Sequence, residues 1–447
     1  MLNRKRLIKN TALMTGSSLA LSLISMSFQV WLAGRIGADG IGLYQLVLSV
    51  TFLCTTFAVS GIRFTSTRLV SEQIGLGRNS GVSPAMRRCF AYSLFFGISA
   101  MLILWFSAEP IGFLWICDAR TVVSLKITAV SMPFISLSSS MCGYFIACGR
   151  VWKPTAVHIV EQLITIALVA LFLLRSPAGD IEANCAAVML GSVLGDVISF
   201  FMLLTLFLRE ARAYPSNTHI EPKLTSRLLK LALPLAVSAY ARSSLSTLED
   251  LLVPRGLKAS GLSADKALSG YGTVQGMVLP ILSFPACILI SLSELLVPEL
   301  TEAQMHGDAD GIRRMVGSII KKSLGYSFAA ALFMFVFADR LGMLIYRSAD
   351  AGHYLRLLAP LIPVMYTDTV VDGCLKGLGQ QVWSMGINIL DAAVGVVLVW
   401  VLLPRYALGA YIGIIYFNEC LNFTLSAARL AVAVRSPRRA RGKTARR

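Results

Sequence analysis

Twelve windows of about 20 or more mostly apolar residues run through this 447-residue chain, at about 11–34, 41–62, 86–108, 121–148, 154–174, 183–208, 225–254, 267–298, 323–346, 352–379, 384–404 and 408–432. A helix of roughly 20 residues rises far enough to cross the ~30 Å hydrocarbon core of a bilayer. Lipid offers no partner for backbone N–H and C=O groups, so a spanning segment of this length is helical. The windows are too long for membrane strands, which need only about 9–11 residues. The chain is therefore expected to be an all-α integral membrane protein with about 12 transmembrane helices. Composition agrees, with 55% hydrophobic and 15% charged residues against a net charge of +17. A basic disordered chain would lack this apolar content, and a DNA-binding protein of this charge would not need it.

The basic residues orient the spans. With the N-terminus in the cytoplasm, 29 of the 41 Lys and Arg residues fall at inner segments, 11 at outer segments, and Arg242 alone lies inside a span. Acidic residues carry no such bias, as expected for the positive-inside rule. Both termini are expected in the cytoplasm, as an even span count requires. The basic start, Arg4-Lys5-Arg6, precedes an apolar run with no convincing cleavage site, so the first window reads as a retained helix.

The chain also repeats itself. Arg6-Leu-Ile-Lys9 matches Arg227-Leu-Leu-Lys230 at an offset of 221, and Tyr44 and Leu69-Val70-Ser71-Glu72 match Tyr271 and Leu296-Val297-Pro298-Glu299 at 227. Pro133, Gly143 and Gly149 match Pro363, Gly373 and Gly379 at 230. Six spans per copy start both copies on the same side, which makes the repeat parallel. The expected organisation is an N-terminal six-helix lobe at 1–208, a cytoplasmic linker at 209–224, a C-terminal six-helix lobe at 225–434 and a basic cytoplasmic tail at 435–447. Two such lobes around a central cavity suit alternating access.

Three stretches resemble a known family. Gly37-Ala-Asp-Gly-Ile-Gly-Leu-Tyr-Gln-Leu46, Leu233-Pro-Leu235 and Tyr271-Gly-Thr-Val-Gln-Gly-Met-Val-Leu-Pro280 are similar to segments of stage V sporulation protein B-like polysaccharide transporters. These belong to the multidrug/oligosaccharidyl-lipid/polysaccharide exporter superfamily, with the oligosaccharide flippases. The resemblance implies a multi-pass protein of the bacterial cytoplasmic membrane that moves an undecaprenyl-linked oligosaccharide or peptidoglycan precursor from the inner to the outer face. Arg63 stands where such proteins usually carry Pro or an apolar residue.

Polar residues inside the spans are the candidate site. Ser238, Arg242, Ser246 and Glu249 recur at helical spacing and form one stripe in the seventh span. Ser18, Ser22, Ser25 and Gln29 form a comparable stripe in the first. Ser22, Ser25, Gln29, Arg242, Ser246 and Glu249 are therefore candidates to line a substrate cavity. Arg242 either meets an anionic head group or pairs with Glu249 or Asp250 to order helices, since an unpaired Arg at mid-bilayer costs roughly 2.5–3.5 kcal/mol on insertion scales. Asp368, Asp372, Asp391 and Glu161 are candidates for ion coupling, because a carboxylate at low dielectric readily exchanges a proton. Asp372 leads, next to Gly373 in a Pro- and Gly-containing span where the backbone is expected to be irregular. The plain alternative for each acid is an interhelical hydrogen bond. Arg63, Arg35 and Arg255 sit where cavity mouths would contact a phosphate, or where arginines anchor at the interface.

Other classes are excluded or ranked lower. The sequence carries no G-x-x-x-x-G-K-[ST] loop and no H-E-x-x-H motif, so no cofactor, catalytic residue or metal site is expected. Nine cysteines without a C-x-x-C pair read as small apolar residues. The tail from 435 to 447 holds seven basic residues and no acid, which suits anionic lipid head groups rather than nucleic acid. A monomer is expected. The competing readings are a cation-coupled exporter of small molecules, favoured by acidic residues in the spans, and a membrane glycosyltransferase, disfavoured by short external loops.

Overall fold

In the computed structural model, which describes residues 4–75, 81–177, 180–211 and 224–435, every regular element among the described residues is helical. The helices fall where the apolar windows lie. The first two windows occupy one long helix, α1 (Arg4–Val59), broken at Gly37, whose φ of 73° is left-handed and natural only for glycine. A second break at Ser60 and Gly61 leads into α2 (Ile62–Gly75). The third window is α3 (Val82–Pro110), ending in a π-helical turn, Ile111–Ile116. The fourth is α4 (Thr121–Ala129) and α5 (Met132–Ala147), bent by 44° ahead of Pro133. The fifth, sixth and seventh are α6 (Trp152–Arg175), α7 (Ile181–Ala211) and α8 (Leu224–Ala259).

The second half follows the same plan. The eighth window comprises α9 (Ala264–Tyr271), a π-helical turn at Gly272–Val278, α10 (Leu279–Ser283) and α11 (Ala286–His306), with a 60° bend at Phe284-Pro285. The ninth is α12 (Ala309–Leu341) with its own π-helical turn at Gly342–Tyr346, and the tenth is α13 (Ala349–Leu358) and α14 (Ile362–Gly377). The last two windows share α15 (Gln381–Arg435), broken at Ala407 (φ 52°) beside Pro404. Among the described residues, six stretches are long and apolar enough to span unaided, and two of them, of 55 and 54 residues, are double length. The bent pairs in windows four and eight qualify jointly. Only α8 and the α13–α14 segment fall short, and these spans carry Arg242, Ser246, Glu249, Asp368 and Asp372 among the candidate polar residues.

The repeat is visible in the packing of each half. Lys126 Nζ donates to Glu109 Oε1 at 2.6 Å, and Arg356 Nη2 donates to Asp339 Oδ2 at 2.5 Å, both partners displaced by 230 residues. The left-handed residues Cys117 and Arg347, which end the π-helical turns at Ile111–Ile116 and Gly342–Tyr346, carry the same offset, as do Gly149 and Gly379. Helix α14 reproduces the bounds of α5 shifted by 230. Gly143 of α5 touches Ser66 of α2, and Gly373 of α14 touches Ser293 of α11, one close helix contact occurring twice. Small residues permit this approach where membrane helices gain from tight packing.

Two compact units result. One gathers Leu43–Leu251 with the start of α1, and the other gathers Ser18–Gly42 with Leu252 onward. The unit boundaries thus assign the first span to the second half of the chain and the seventh to the first half, a helix exchange that the expected lobes at 1–208 and 225–434 did not include. In the first unit, Ser136 Oγ of α5 donates to Ala58 O at 2.7 Å and lies 2.9 Å from Ser93 O, and Leu224, Leu228 and Ala232 of α8 pack with Ile62, Leu69 and Cys89. A Cβ on Gly61 would meet Ala232 O at 3.0 Å, so this turn brings α8 and the bend into backbone contact. In the second unit, Gly42 and Gly272 approach backbone to backbone. The expected linker at 209–224 and tail at 435–447 lie almost wholly outside the described residues.

Candidate functional site

Helix α8 carries the stripe that contains Arg242. Arg242 and Ser246 are exposed and Glu249 half-buried. Among the described residues Arg242 has no carboxylate within ion-pair distance. Glu249 is seven residues on, about 10 Å along the axis. Asp250 instead accepts a 2.6 Å hydrogen bond from Ser49 Oγ of α1. A guanidinium at mid-span without a carboxylate is stable only where its surroundings are wet or anionic. The neighbouring Tyr240 hydroxyl is fixed 2.5 Å from Ser60 Oγ, itself 2.9 Å from Tyr92 Oη, so the bend at Ser60–Gly61 is tied to α8 and α3 by hydroxyl pairs.

The other stripe belongs to the second unit. Ser22 is half-buried, Ser25 exposed, and Gln29 Nε2 donates to Gly276 O at 2.9 Å inside the π-helical turn. That turn leaves carbonyls out of register, and Gln29 satisfies one of them. Gln275 Oε1 accepts from Tyr411 Oη at 3.2 Å. Gln29 is thus held by backbone, which reduces its freedom to meet a ligand.

Carboxylates cluster in both units. In the second, Asp368 of α14, Asp391 of α15 and Glu419 farther along α15 lie within electrostatic reach of one another. Asn422 Nδ2 donates to Asn388 Oδ1 at 3.1 Å and reaches Asp391 Oδ2 at 3.4 Å. One carboxylate oxygen each of Asp368 and Asp391 is buried without a hydrogen-bond partner. Asp372 differs: Lys376 Nζ lies 2.6 Å from it and Ser384 donates to it. Helix α14 is regular there, because Pro363 sits in its first turn and the irregular step precedes it at Ala359–Leu361. Asp372 therefore has its charge matched locally, and the uncompensated acids are Asp368, Asp391 and Glu419.

In the first unit, Glu161 Oε2 accepts from Ser199 Oγ at 2.6 Å and lies 3.5 Å from His158 Nδ1. Asp196 is within electrostatic reach of both and bonds Ser131. Arg63, exposed in the first turn of α2, reaches His158 and Cys142 electrostatically. Sequence reasoning had left His158 and Asn422 aside; the i, i+3 spacing of His158 and Glu161 was the available signal for the first. Arg35, two residues before the Gly37 break, and Arg255, near the end of α8, are both exposed in the second unit. Among the described residues, no group of three or more His, Cys, Asp or Glu is arranged to hold a metal ion.

Known proteins give this arrangement a context. The family model described as "Polysaccharide biosynthesis protein" matches residues 7–286, more than half of the chain. The chain belongs to the polysaccharide biosynthesis protein family. A second model, MatE, matches residues 257–401. Relatives of this family member include stage V sporulation protein B of Bacillus subtilis strain 168, 23% identical over 411 residues, covering 91% of this chain and 79% of the relative. Sporulation protein YkvU of the same organism is 24% identical over 389 residues, covering 85% and 86%. An inward-facing multidrug resistance MATE family transporter of the MOP superfamily has the same fold, with a TM-score of 0.71 at 15% identity over 93% of this chain and 96% of that one. The chain thus shares the two-lobe helical fold of that transporter, and its long apolar helices make it a multi-pass membrane protein.

Proposed function

We propose that this transporter flips an undecaprenyl-linked oligosaccharide or peptidoglycan precursor from the inner to the outer face of the bacterial cytoplasmic membrane by alternating access, with both termini in the cytoplasm. The observation that carries the reading is Arg242, exposed on a span and without a carboxylate partner among the described residues. A guanidinium fork binds phosphate oxygens in pairs, which suits a pyrophosphate linkage. Ser246 on the same stripe offers a hydroxyl to sugar. Membership of the polysaccharide biosynthesis protein family supports the same substrate class.

Energy enters through protons at Asp368, Asp391 and Glu419, with Glu161 as a second relay beside His158. Mutually close carboxylates with unbonded oxygens suit proton exchange, whereas their spacing does not suit a metal cage. The basic tail holds the inner surface through anionic lipid head groups. A second reading, cation-coupled export of small molecules, is favoured by the MatE match over residues 257–401 and the same acids.

Purified protein in proteoliposomes, loaded with labelled undecaprenyl-pyrophosphoryl glycans, should expose the glycan to an external enzyme only when protein is present. A pH gradient should accelerate the exposure. Gradient-driven efflux of a cationic dye without any lipid flipping would overturn the first reading in favour of the second.

A further inference from the structure

The first unit contains a cavity of about 520 Å³ whose walls are α1 after its Gly37 break, the second half of α3 with the π-helical turn, and α8. Helix α1 contributes Cys54 and Phe57, α3 contributes Ala100 and Ile103, and Trp115 closes the end beyond α3. Three of the four hydroxyls in this lining are already committed inside the protein. Tyr240 Oη is 2.5 Å from Ser60 Oγ, Thr247 Oγ1 donates to Ser49 O at 2.9 Å, and Ser107 Oγ donates to Ile103 O at 2.5 Å. Cys54 adds a small apolar surface rather than a donor of consequence. A sugar, phosphate or amine entering here would lose water and gain almost no hydrogen bond, a net cost. The lining therefore selects a hydrocarbon.

The position of α8 says which one. Its cavity residues, Tyr240, Ser244, Thr247 and Leu251, follow helical spacing on one face. At 3.6 residues per turn, Arg242, Ser246 and Glu249 fall about half a turn away on the same helix. One helix thus presents an apolar wall to one side and, to the other, a guanidinium without a carboxylate partner among the described residues. That pairing fits an amphiphile with an anionic head and one long chain. Aromatic faces at Phe57, Tyr240 and Trp115 suit the methyl-branched, unsaturated units of a polyprenyl chain.

We propose that this cavity holds a segment of the polyprenyl tail of the transported lipid while its head group engages the Arg242 face. The proposal rests on the flipping reading above.

The test uses full-length protein in nanodiscs with a photoactivatable diazirine-bearing polyprenyl phosphate, and mass spectrometry of the cross-linked peptides. A diazirine-bearing phosphatidylglycerol is the comparison probe. The expected result is polyprenyl cross-linking at 50–57 and 100–115, displaced by unlabelled polyprenyl phosphate. Cys54→Phe, which fills the cavity, should lower it roughly tenfold, an affinity change of about 1.4 kcal/mol, with the unfolding midpoint retained. Ala100→Phe serves the same purpose should Cys54→Phe fail to fold. Equal labelling by the phosphatidylglycerol probe without displacement would make the cavity a bulk-lipid site and overturn the proposal. So would absence of label there, or wild-type flipping rates in the filled variants; both leave the transport reading standing. Specific polyprenyl labelling in a protein that flips no lipid-linked glycan would instead sink the transport reading and keep the tail site.

Discussion

Replacing Gly143 or Gly373 with Ala tests the repeated helix contact on which both units are built. A Cβ on Gly143 would lie 1.9 Å from Ser66 Oγ and 2.5 Å from Arg63 O, and one on Gly373 would lie 2.6 Å from Ser293 Cβ. None of these separations is tolerable, so α2 must move from α5, or α11 from α14. Overpacking of this kind costs about 1–3 kcal/mol. In a unit of some 200 residues, 1 kcal/mol lowers the melting midpoint by roughly 2–4 °C, so each variant should lose several degrees. The assay is thermal unfolding of purified protein in detergent, followed by size-exclusion recovery at one fixed heating schedule, since irreversible unfolding makes the midpoint rate-dependent. Suppressors distinguish the two sites. Ser66→Ala should recover part of the loss in Gly143→Ala, because it removes the hydroxyl but leaves the Arg63 carbonyl. Ser293→Ala should recover none of the loss in Gly373→Ala, because there the clash is with Cβ itself. Unchanged midpoints for both glycine variants, or full recovery by Ser66→Ala, would refute the reasoning.

Three further outcomes follow from the same geometry. Arg242→Ala should slow flipping of pyrophosphate-linked lipid by ~10–100-fold, the equivalent of losing 1.5–3 kcal/mol of charged hydrogen bonding, and Arg242→Lys should recover only part of it; measured initial rates in proteoliposomes decide. Asp391→Asn and Asp368→Asn should keep the protein folded and remove its acceleration by a pH gradient, which flux at matched and unmatched pH reads directly. Cys117, exposed beyond the third span, should react in intact cells with a membrane-impermeant maleimide when it is the sole cysteine; protection there with labelling in inverted vesicles would reverse the proposed orientation.

Much of the fold could be read in the chain because its determinants are local. A window's apolar length is set by bilayer thickness, and each of the twelve windows lies on helix, four of them sharing the long broken helices α1 and α15. The repeat was harder, because what it preserves is charge and backbone shape more than identity. Glu109 and Lys126 recur as Asp339 and Arg356, and left-handed Cys117 recurs as Arg347. Residue matching overlooks both pairs, whereas the ion-pair geometry displays them. The exchange of the first and seventh spans between units had no local signal, since the stretch of chain that joins a helix to its neighbour in sequence does not dictate which helices it packs against.

The same limit governed the site. Asp372 looked the best coupling acid because proline and glycine flank it, yet Pro363 opens α14 instead of disturbing it, and Lys376 one turn later matches its charge. The acids that lack such a match, Asp368, Asp391 and Glu419, are brought together only when α14 meets α15. Arg242 was legible for the opposite reason: its cost in lipid is large, so its presence alone demanded an explanation. What the sequence hid was the other side of that helix. The polar side chains of Tyr240 and Thr247 lie on that face, and only their bonds to Ser60 and Ser49 turn it into a hydrocarbon surface. Polar composition marks where a membrane helix is unusual, but the disposition of its hydrogen bonds decides which face is wet, and for α8 it decides where a head group and a tail would part.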